Sequence, residues 1–100
     1  MAITRFQALV ARESLADVYI NDPAMPDREG DAATVLTIHR NTTFQESWIC
    51  ELESYGAKLW IPVENLDPSG GLVALIEAGT YNEEAMTHQG YEGMVTPLTY

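Results

Sequence analysis

The sequence predicts an α+β fold: a three- or four-stranded antiparallel β-meander with short N-terminal and C-terminal helices packed on one face. Two observations favour this fold. Residues 46–64 have the pattern of a β-hairpin, and apolar residues recur at helical spacing near both ends of the chain. One hundred residues are enough for one modest core, so we expect a single domain over residues 1–100.

The hairpin prediction depends on the pairs that a two-residue turn at Tyr55-Gly56 would create. On one face every pair is apolar: Leu52 with Leu59, Cys50 with Ile61, and Trp48 with Val63. The other face is mixed: Glu53 with Lys58, Glu51 with Trp60, and Ile49 with Pro62. Because opposite residues of an antiparallel pair share a face, moving the turn by one residue would scatter the apolar set.

Pro62 restricts where the second hairpin strand can lie. Proline has no N–H to donate to a ladder, so this strand is either an edge or turns that position away from its neighbour. Earlier in the chain, Ile3 to Arg12 has the spacing of a short helix that should end near Ser14. Strand alternation fits Ile3 to Arg12 nearly as well. Ala16 to Asn21 is predicted to be a strand, because its centre is β-branched and aromatic.

A loop and a further strand are predicted before the hairpin. Residues 21–31 contain two prolines, a glycine and five charged residues, which is typical of a surface loop. Thr34 to Arg40 returns to β character, with apolar residues interleaved by threonines. Residues 41–43 would turn into the hairpin, and a meander is the simplest topology because successive strands usually lie side by side.

The segment after the hairpin is predicted to be mainly helical. Residues 67–71, Asp-Pro-Ser-Gly-Gly, should break the chain, and Leu72 to Gly79 has helical spacing ended by glycine. Thr80-Tyr81-Asn82-Glu83 has the pattern of a capping box that starts a second short helix, which ends before Gly90. Met94 to Thr96 could add an edge strand.

Charge is the compositional outlier. Residues 1–40 carry six acids and four bases, whereas residues 41–100 carry nine acids and one base, which together give the net charge of −10. Such a surface repels nucleic acid and anionic membranes, and it attracts basic protein surfaces over a Debye length of about 8–10 Å. Solubility alone would also account for the excess of acids.

Two further features of composition concern location. The longest apolar runs are far shorter than the roughly 20 residues that span a bilayer, and no charged-then-apolar leader opens the chain. The single cysteine, Cys50, excludes an internal disulfide and fits a reducing compartment. We therefore expect a cytoplasmic protein.

A calcium loop is the first candidate for metal binding. Asp27, Glu29 and Asp31 are spaced like the opening ligands of such a loop. The motif requires glycine at its sixth position and glutamate at its twelfth, where this chain has Ala32 and Ile38. We therefore expect no calcium site here.

Cysteine chemistry is the second candidate. Cys50 could form a thiolate pair with His39 or His88, but the hairpin register points the thiol inward, where it behaves as a small hydrophobe. One cysteine and two separated histidines also lack the paired spacing of a zinc site. The sequence thus predicts neither catalytic residues nor a metal or other cofactor, and we expect that the protein is not an enzyme.

The mixed face of the hairpin is the candidate binding surface. Aromatic and apolar residues on an exposed face are more typical of interfaces than of catalytic sites. A helix could instead cover this face and make its tryptophan part of the core, and the sequence leaves that question open. The predicted partner-binding residues are Trp60, Glu51, Glu53, Glu64, Ile49 and Tyr55.

These features predict a non-catalytic acidic protein that binds a basic surface of a partner protein. A sharper version is an inhibitor whose carboxylates lie where nucleic-acid phosphates would, by analogy in size and acidity with small phage-encoded antagonists of host defence. Direct binding to nucleic acid or membrane is not expected. The alternative is a structural subunit of a larger assembly whose open strand edge pairs with copies of itself.

Overall fold

The computed structural model describes residues 2–41, 47–88 and 94–95. Its α-helices are α1 (Arg5–Ser14), α2 (Gly70–Glu77) and α3 (Glu83–His88). Its strands are β1 (Asp17–Ile20), β2 (Ala32–Asn41), β3 (Trp48–Ser54), β4 (Ala57–Pro62), β5 (Leu66–Pro68) and β6 (Met94–Val95). Short 3₁₀ turns occupy Pro26–Arg28 and Val63–Asn65.

The sheet has the strand order β4-β3-β2-β1-β5, with all neighbours antiparallel. The two-residue β6 pairs in parallel with the end of β2 at Arg40 and Asn41. The α+β class is therefore confirmed, but within the described residues the antiparallel sheet has five strands, so the predicted count of three or four is wrong. The turn into the hairpin was predicted at residues 41–43, of which residues 42 and 43 lie outside the described residues.

The unpredicted antiparallel strand is β5. Its three residues, Leu-Asp-Pro, overlap the segment predicted to break the chain, and they pair with β1 through Ile20 opposite Leu66 and Val18 opposite Pro68. Two further backbone bonds to this segment, from Ile3 N to Leu66 O and from Asn21 N to Asn65 O, hold it against the rest of the fold. Tertiary pairing thus overrides a composition that disfavours strands.

The predicted hairpin register is confirmed. Ser54 lies opposite Ala57, and five of the six predicted pairs, from Glu53–Lys58 to Ile49–Pro62, occur as expected. The sixth, Trp48 with Val63, does not form, because β4 ends at Pro62 and Val63 begins a 3₁₀ turn. The two turn residues have φ of 51° at Tyr55 and 83° at Gly56, as a type I′ turn requires. β4 is an edge strand of the described sheet, which accommodates Pro62.

The N-terminal element is a helix, not a strand. Thr4 and Gln7 form a capping box: the Gln7 N–H donates to Thr4 Oγ1 (3.2 Å), and the Thr4 N–H donates to Gln7 Oε1 (2.8 Å). The helix ends at Ser14 as expected, followed by Leu15 in the left-handed region with φ of 61°. The buried residues of α1 are Ala8, Leu9, Val10 and Ala11.

The start of α3 differs from the prediction. Asn82 caps this helix, because its Oδ1 accepts a hydrogen bond from the Ala85 N–H at 3.0 Å. The expected capping box between Thr80 and Glu83 would have started the helix two residues earlier, so that prediction is wrong. Asparagine is as good an N-cap as threonine, and the later cap follows a glycine with φ of 77°, Gly79.

The core lies between the helices and one face of the sheet. A bulge in β2 between Val35 and Thr37 inserts one extra residue, so that Val35 and Ile38 both face this core. Within the described residues, none of the helices has the length and apolar composition of a membrane span. The core residues from the sheet are Val18, Ile20, Ala33, Val35, Ile38, Cys50, Leu52 and Ile61, and those from the helices include Leu9, Val10, Leu72 and Met86.

Candidate functional site

The face of the sheet opposite the core carries most of the predicted partner-binding residues. Residues that alternate with the core residues along each strand point to this side. Register then places Trp60 beside Glu51, and Glu51 beside Thr37 on β2. We call this surface the outer face, and its members are Asp17, Tyr19, Thr34, Thr37, His39, Ile49, Glu51, Glu53, Lys58, Trp60, Pro62 and Asp67.

Four residues of the outer face form a connected cluster. The Thr37 hydroxyl donates to Glu51 Oε1 at 3.0 Å, and His39 Nε2 lies 2.8 Å from the same hydroxyl oxygen. The His39 imidazole in turn packs against the Trp60 indole, with ring centroids 5.1 Å apart and planes tilted by 52°. We call Trp60, His39, Thr37 and Glu51 the outer-face cluster. It links three strands, β4, β2 and β3.

The hydrogen bonds define the roles of the two imidazole nitrogens. The single Thr37 hydroxyl hydrogen goes to Glu51, so His39 Nε2 must be the N–H donor to Thr37 Oγ1. His39 is only 8% exposed, and its Nδ1 is buried without a hydrogen-bond partner among the described residues. The ring is therefore held by its hydrogen bond to Thr37 and by its contact with Trp60.

The outer face is acidic. Its described residues include the acids Asp17, Glu51, Glu53 and Asp67 but only one lysine or arginine, Lys58. The Glu53 carboxylate also accepts a hydrogen bond from the Gly56 N–H at 3.1 Å, which fixes it beside the hairpin turn. Basic groups approaching Glu51 or Glu53 would therefore meet carboxylates whose positions are already set by neighbouring residues.

Basic side chains cluster elsewhere. The Arg5 guanidinium lies 4.0 Å from the centroid of the Trp48 ring, and that of Arg40 lies 4.5 Å from the same ring. Trp48 packs against the core, so these two of the five basic residues lie on the helix side of the sheet. Cation–π contacts of this kind hold the arginines near the indole and away from the outer face.

The outer face is buried at one end and open at the other. His39, Ile49 and Pro62 are buried, whereas Glu53 and Lys58 are exposed and Trp60 is partly exposed. One end of this face is thus covered and the other end is exposed. Each of the two alternatives that the sequence left open therefore applies to one end. Ile49 was predicted to contact a partner and lies on this face by register, but it has no exposed area to offer.

The remaining two predicted partner-binding residues lie at opposite ends of the hairpin. Tyr55 is 79% exposed at the turn. Glu64 lies in the 3₁₀ turn that follows β4, where its carboxylate accepts a hydrogen bond from the Ser47 hydroxyl at 3.0 Å. The outer-face cluster therefore brings Trp60 and Glu51 together, whereas Tyr55 and Glu64 flank it along the hairpin.

Sequence reasoning missed Thr37, His39 and Tyr19 as members of this surface. The alternation of Thr37-Ile38-His39 contains the signal for the first two, because an inward Ile38 forces its neighbours outward. The bulge at Leu36 hides that signal, since it interrupts the alternation that starts at Val35. Tyr19, which is 40% exposed, follows the same rule between buried Val18 and Ile20.

The other chemical candidates remain apart. Cys50 lies on the core side of the sheet and His39 on the outer side, so they do not form a thiol–imidazole pair. Among the described residues, no group of three or more metal-ligating side chains is found, and no pocket is enclosed. Of the residues considered for a calcium loop, Asp27 and Glu29 are exposed and Asp31 is partly buried.

No family model, curated protein or solved structure matches this chain. We therefore infer a function from the geometry of the outer face. Three observations are available for that purpose: the outer-face cluster, the excess of carboxylates around it, and the exposed tyrosine at the hairpin turn.

Proposed function

We propose that this chain is a non-catalytic binding protein whose outer face engages a basic surface of a partner protein. The outer-face cluster is the main support. Trp60 packs on His39, and Glu51 is oriented by Thr37, so an aromatic anchor and a carboxylate are held side by side before a partner arrives. Tryptophan is among the residue types most enriched at binding hot spots, and a pre-ordered side chain loses less entropy on binding.

Charge supports a basic partner over an acidic or neutral one. The whole chain has a net charge of −10, and the described outer face carries four carboxylates but only one ammonium. Such a field accelerates encounter with a positively charged surface and repels other acidic surfaces. An arginine of the partner could pack its guanidinium on Trp60 and pair with Glu51, which lies beside it in register.

The backbone at Tyr55 supports a role for the hairpin turn. A bulky residue with φ of 51° is strained, and asparagine is the residue that type I′ turns prefer at this position. The side chain is also 79% exposed, so it contributes little to folding. Strain at an exposed aromatic residue is typical of functional positions, and we include Tyr55 in the proposed interface.

A sharper form of the proposal is inhibition. Carboxylates on a rigid sheet can occupy the site of a partner that normally binds nucleic-acid phosphates, and a partner of that kind has the basic surface required here. We place this activity in the cytoplasm, because a single buried cysteine fits a reducing compartment. Competition between this protein and nucleic acid for the captured partner tests the sharper form.

Affinity capture with matched variants tests the proposal. The tagged protein would be used to capture partners from lysate of its native host at low and high salt. Glu51→Gln combined with Glu53→Gln removes two outer-face charges, and the amide oxygen introduced at position 51 can still accept the Thr37 hydrogen bond. The control, Glu83→Gln with Glu84→Gln, makes the same change in net charge on α3, where both residues are exposed.

We expect the outer-face variant to bind the captured partner more slowly and with less dependence on salt, whereas the α3 variant binds like the wild type. Trp60→Ala should lose affinity by about 2 kcal/mol, mainly through faster dissociation. Equal losses in the two charge variants would show that net charge alone is responsible. Normal binding by folded Trp60→Ala would reject the outer face as the interface.

A further inference from the structure

The proposed binding function uses the Trp60 side chain on β4 but not the backbone groups along the open edge of this strand. Among the described strands, β4 has a neighbour on one side only, β3, and its six residues run from Ala57 to Pro62. Edge strands present unpaired N–H and C=O groups that can pair with another strand. Which groups face outward follows from the hairpin geometry.

The turn determines the direction of each backbone group on β4. In a hairpin with a two-residue turn, the flanking pair, here Ser54 and Ala57, exchanges both N–H···O=C bonds. Hydrogen-bonded and non-bonded positions then alternate, so Leu59 and Ile61 also point their backbone groups toward β3. The outward-pointing backbone groups are those of Lys58, Trp60 and Pro62. Because Pro62 lies at an outward position, its lack of an N–H removes no hydrogen bond between β4 and β3.

If a second copy adds to this edge in the antiparallel direction, the two-fold registers that pair the central residues of the strand have their axis at Lys58, Leu59 or Trp60. Centring on Lys58 places two ammonium groups opposite each other, which is repulsive. Centring on Trp60 places Lys58 opposite Pro62 of the second copy. Because proline has no N–H, each of the two Lys58–Pro62 pairs forms one hydrogen bond instead of two. Only centring on Leu59 places Lys58 opposite Trp60 of the second copy, twice, so that both bonded pairs exchange two N–H···O=C bonds and no like charges face each other.

We infer that two copies of this chain pair through β4 in this third register, forming a sheet that is continuous across the dimer. The pairing makes about four backbone hydrogen bonds between Lys58 and Trp60 of opposite copies. It also sets the Lys58 ammonium beside the indole of the second copy, a favourable cation–π arrangement. Leu59, which is partly exposed in one copy, meets Leu59 of the other across the axis.

Charges along the outer face agree with this register. The row through the interface reads Glu51, Trp60, then Lys58 and Glu53 of the second copy, so no like charges are directly opposed. Lysine and proline on an edge strand often prevent pairing, but here Lys58 has an aromatic partner and Pro62 lies outside the bonded pairs. The interface involves only one short strand from each copy, so we expect weak association at high micromolar concentration.

Salt distinguishes this inference from the binding proposal. Each copy carries a net charge of −10, so two copies repel at long range, and added salt should strengthen the dimer by screening that repulsion. A complex with a basic partner should weaken under the same conditions. Failure to observe the dimer therefore does not imply that the chain fails to bind a basic partner, and the converse also holds.

The test combines sedimentation velocity with amide hydrogen exchange on the wild-type chain, from micromolar to millimolar concentration. We expect a monomer–dimer equilibrium in which the Lys58 and Trp60 amides exchange more slowly as concentration rises. The Leu59 amide, already bonded to β3, serves as the internal control and should not change. A monomer at every concentration, or a dimer in which these two amides are unaffected, would overturn the inference.

A pair of variants at one position tests the register. Lys58→Pro removes an outward N–H without touching the bonds to β3, whereas Lys58→Ala removes the same ammonium group but keeps the N–H. We expect Lys58→Pro to weaken dimerisation at least about tenfold more than Lys58→Ala, because backbone bonds contribute more than the exposed charge. Equal effects would reject backbone pairing at this edge. If Lys58→Pro does not fold, hydrogen exchange of the wild-type chain decides whether β4 pairs with a second copy.

Discussion

The His39 imidazole lies against the Trp60 indole, with ring centroids 5.1 Å apart, and its Nε2 lies 2.8 Å from the Thr37 hydroxyl. One buried histidine therefore connects the partly exposed aromatic residue of β4 to the hydrogen bonds of β2. Because Thr37 donates onward to Glu51 on β3, the order of these side chains depends on the register of all three strands. Binding at this surface would require no new arrangement of its central residues.

Removing the Thr37 hydroxyl tests how much the outer-face cluster depends on it. Thr37→Val keeps the shape of the side chain but leaves Glu51 Oε1 and the His39 N–H without their common partner. We expect a loss of about 1–3 kcal/mol in the free energy of unfolding, measured by urea denaturation. Thr34→Val is the matched control, since Thr34 is also partly buried on the outer face of β2. Equal losses in both variants would contradict the role of Thr37.

The two leucines that face each other in the hairpin should differ in their contribution to stability. Leu52 on the central strand β3 is fully buried, whereas Leu59 on the edge strand β4 is partly buried. Leu52→Ala should therefore lower the free energy of unfolding by about 3–5 kcal/mol, and Leu59→Ala by about 1–3 kcal/mol. Chemical denaturation measures both. A larger loss for Leu59→Ala would mean that the β4 edge is covered, for example by a second copy.

The sequence was sufficient to predict the hairpin, because side-chain alternation and the Tyr55-Gly56 turn fix one register. It was insufficient for β5, since a three-residue strand containing proline forms only because β1 presents an edge for it. No local pattern encodes that long-range pairing. The α1 capping box, by contrast, is a local pattern, Thr4 followed three residues later by Gln7, and is accessible from the sequence alone.

The candidate site shows the same division. Trp60 and Glu51 could be placed side by side from the hairpin alone. Their connection through Thr37 and His39 could not, because the bulge at Leu36 changes which residues of β2 face outward. Burial of Ile49 was likewise inaccessible to pairing rules, which assign a residue to a face without saying whether that face is covered.

Cys50 should be unreactive in the native protein. It is fully buried on the core side of the sheet, on a strand that has a paired neighbour on both sides. A thiol reagent should therefore label it only after the structure opens, so labelling should accelerate with urea in parallel with unfolding. Mass spectrometry of the native and denatured protein measures both rates. Rapid labelling without denaturant would contradict the burial of this side chain.

Replacing Tyr55 should separate stability from binding. Tyr55→Asn supplies the residue that a type I′ turn prefers at positive φ, so we expect the free energy of unfolding to rise by about 1 kcal/mol. The same change removes an exposed aromatic ring from the proposed interface and should weaken partner binding. Thermal or urea denaturation measures the first effect, and binding to the captured partner measures the second.

Tyr55→Ala is the control for this prediction, because it removes the ring without providing a residue suited to positive φ. It should therefore weaken binding as much as Tyr55→Asn but leave stability unchanged or lower. If Tyr55→Asn is more stable and binds normally, the strained tyrosine has no part in the interface. In that case the contact surface would be confined to the outer-face cluster, where Trp60 and Glu51 are held by His39 and Thr37.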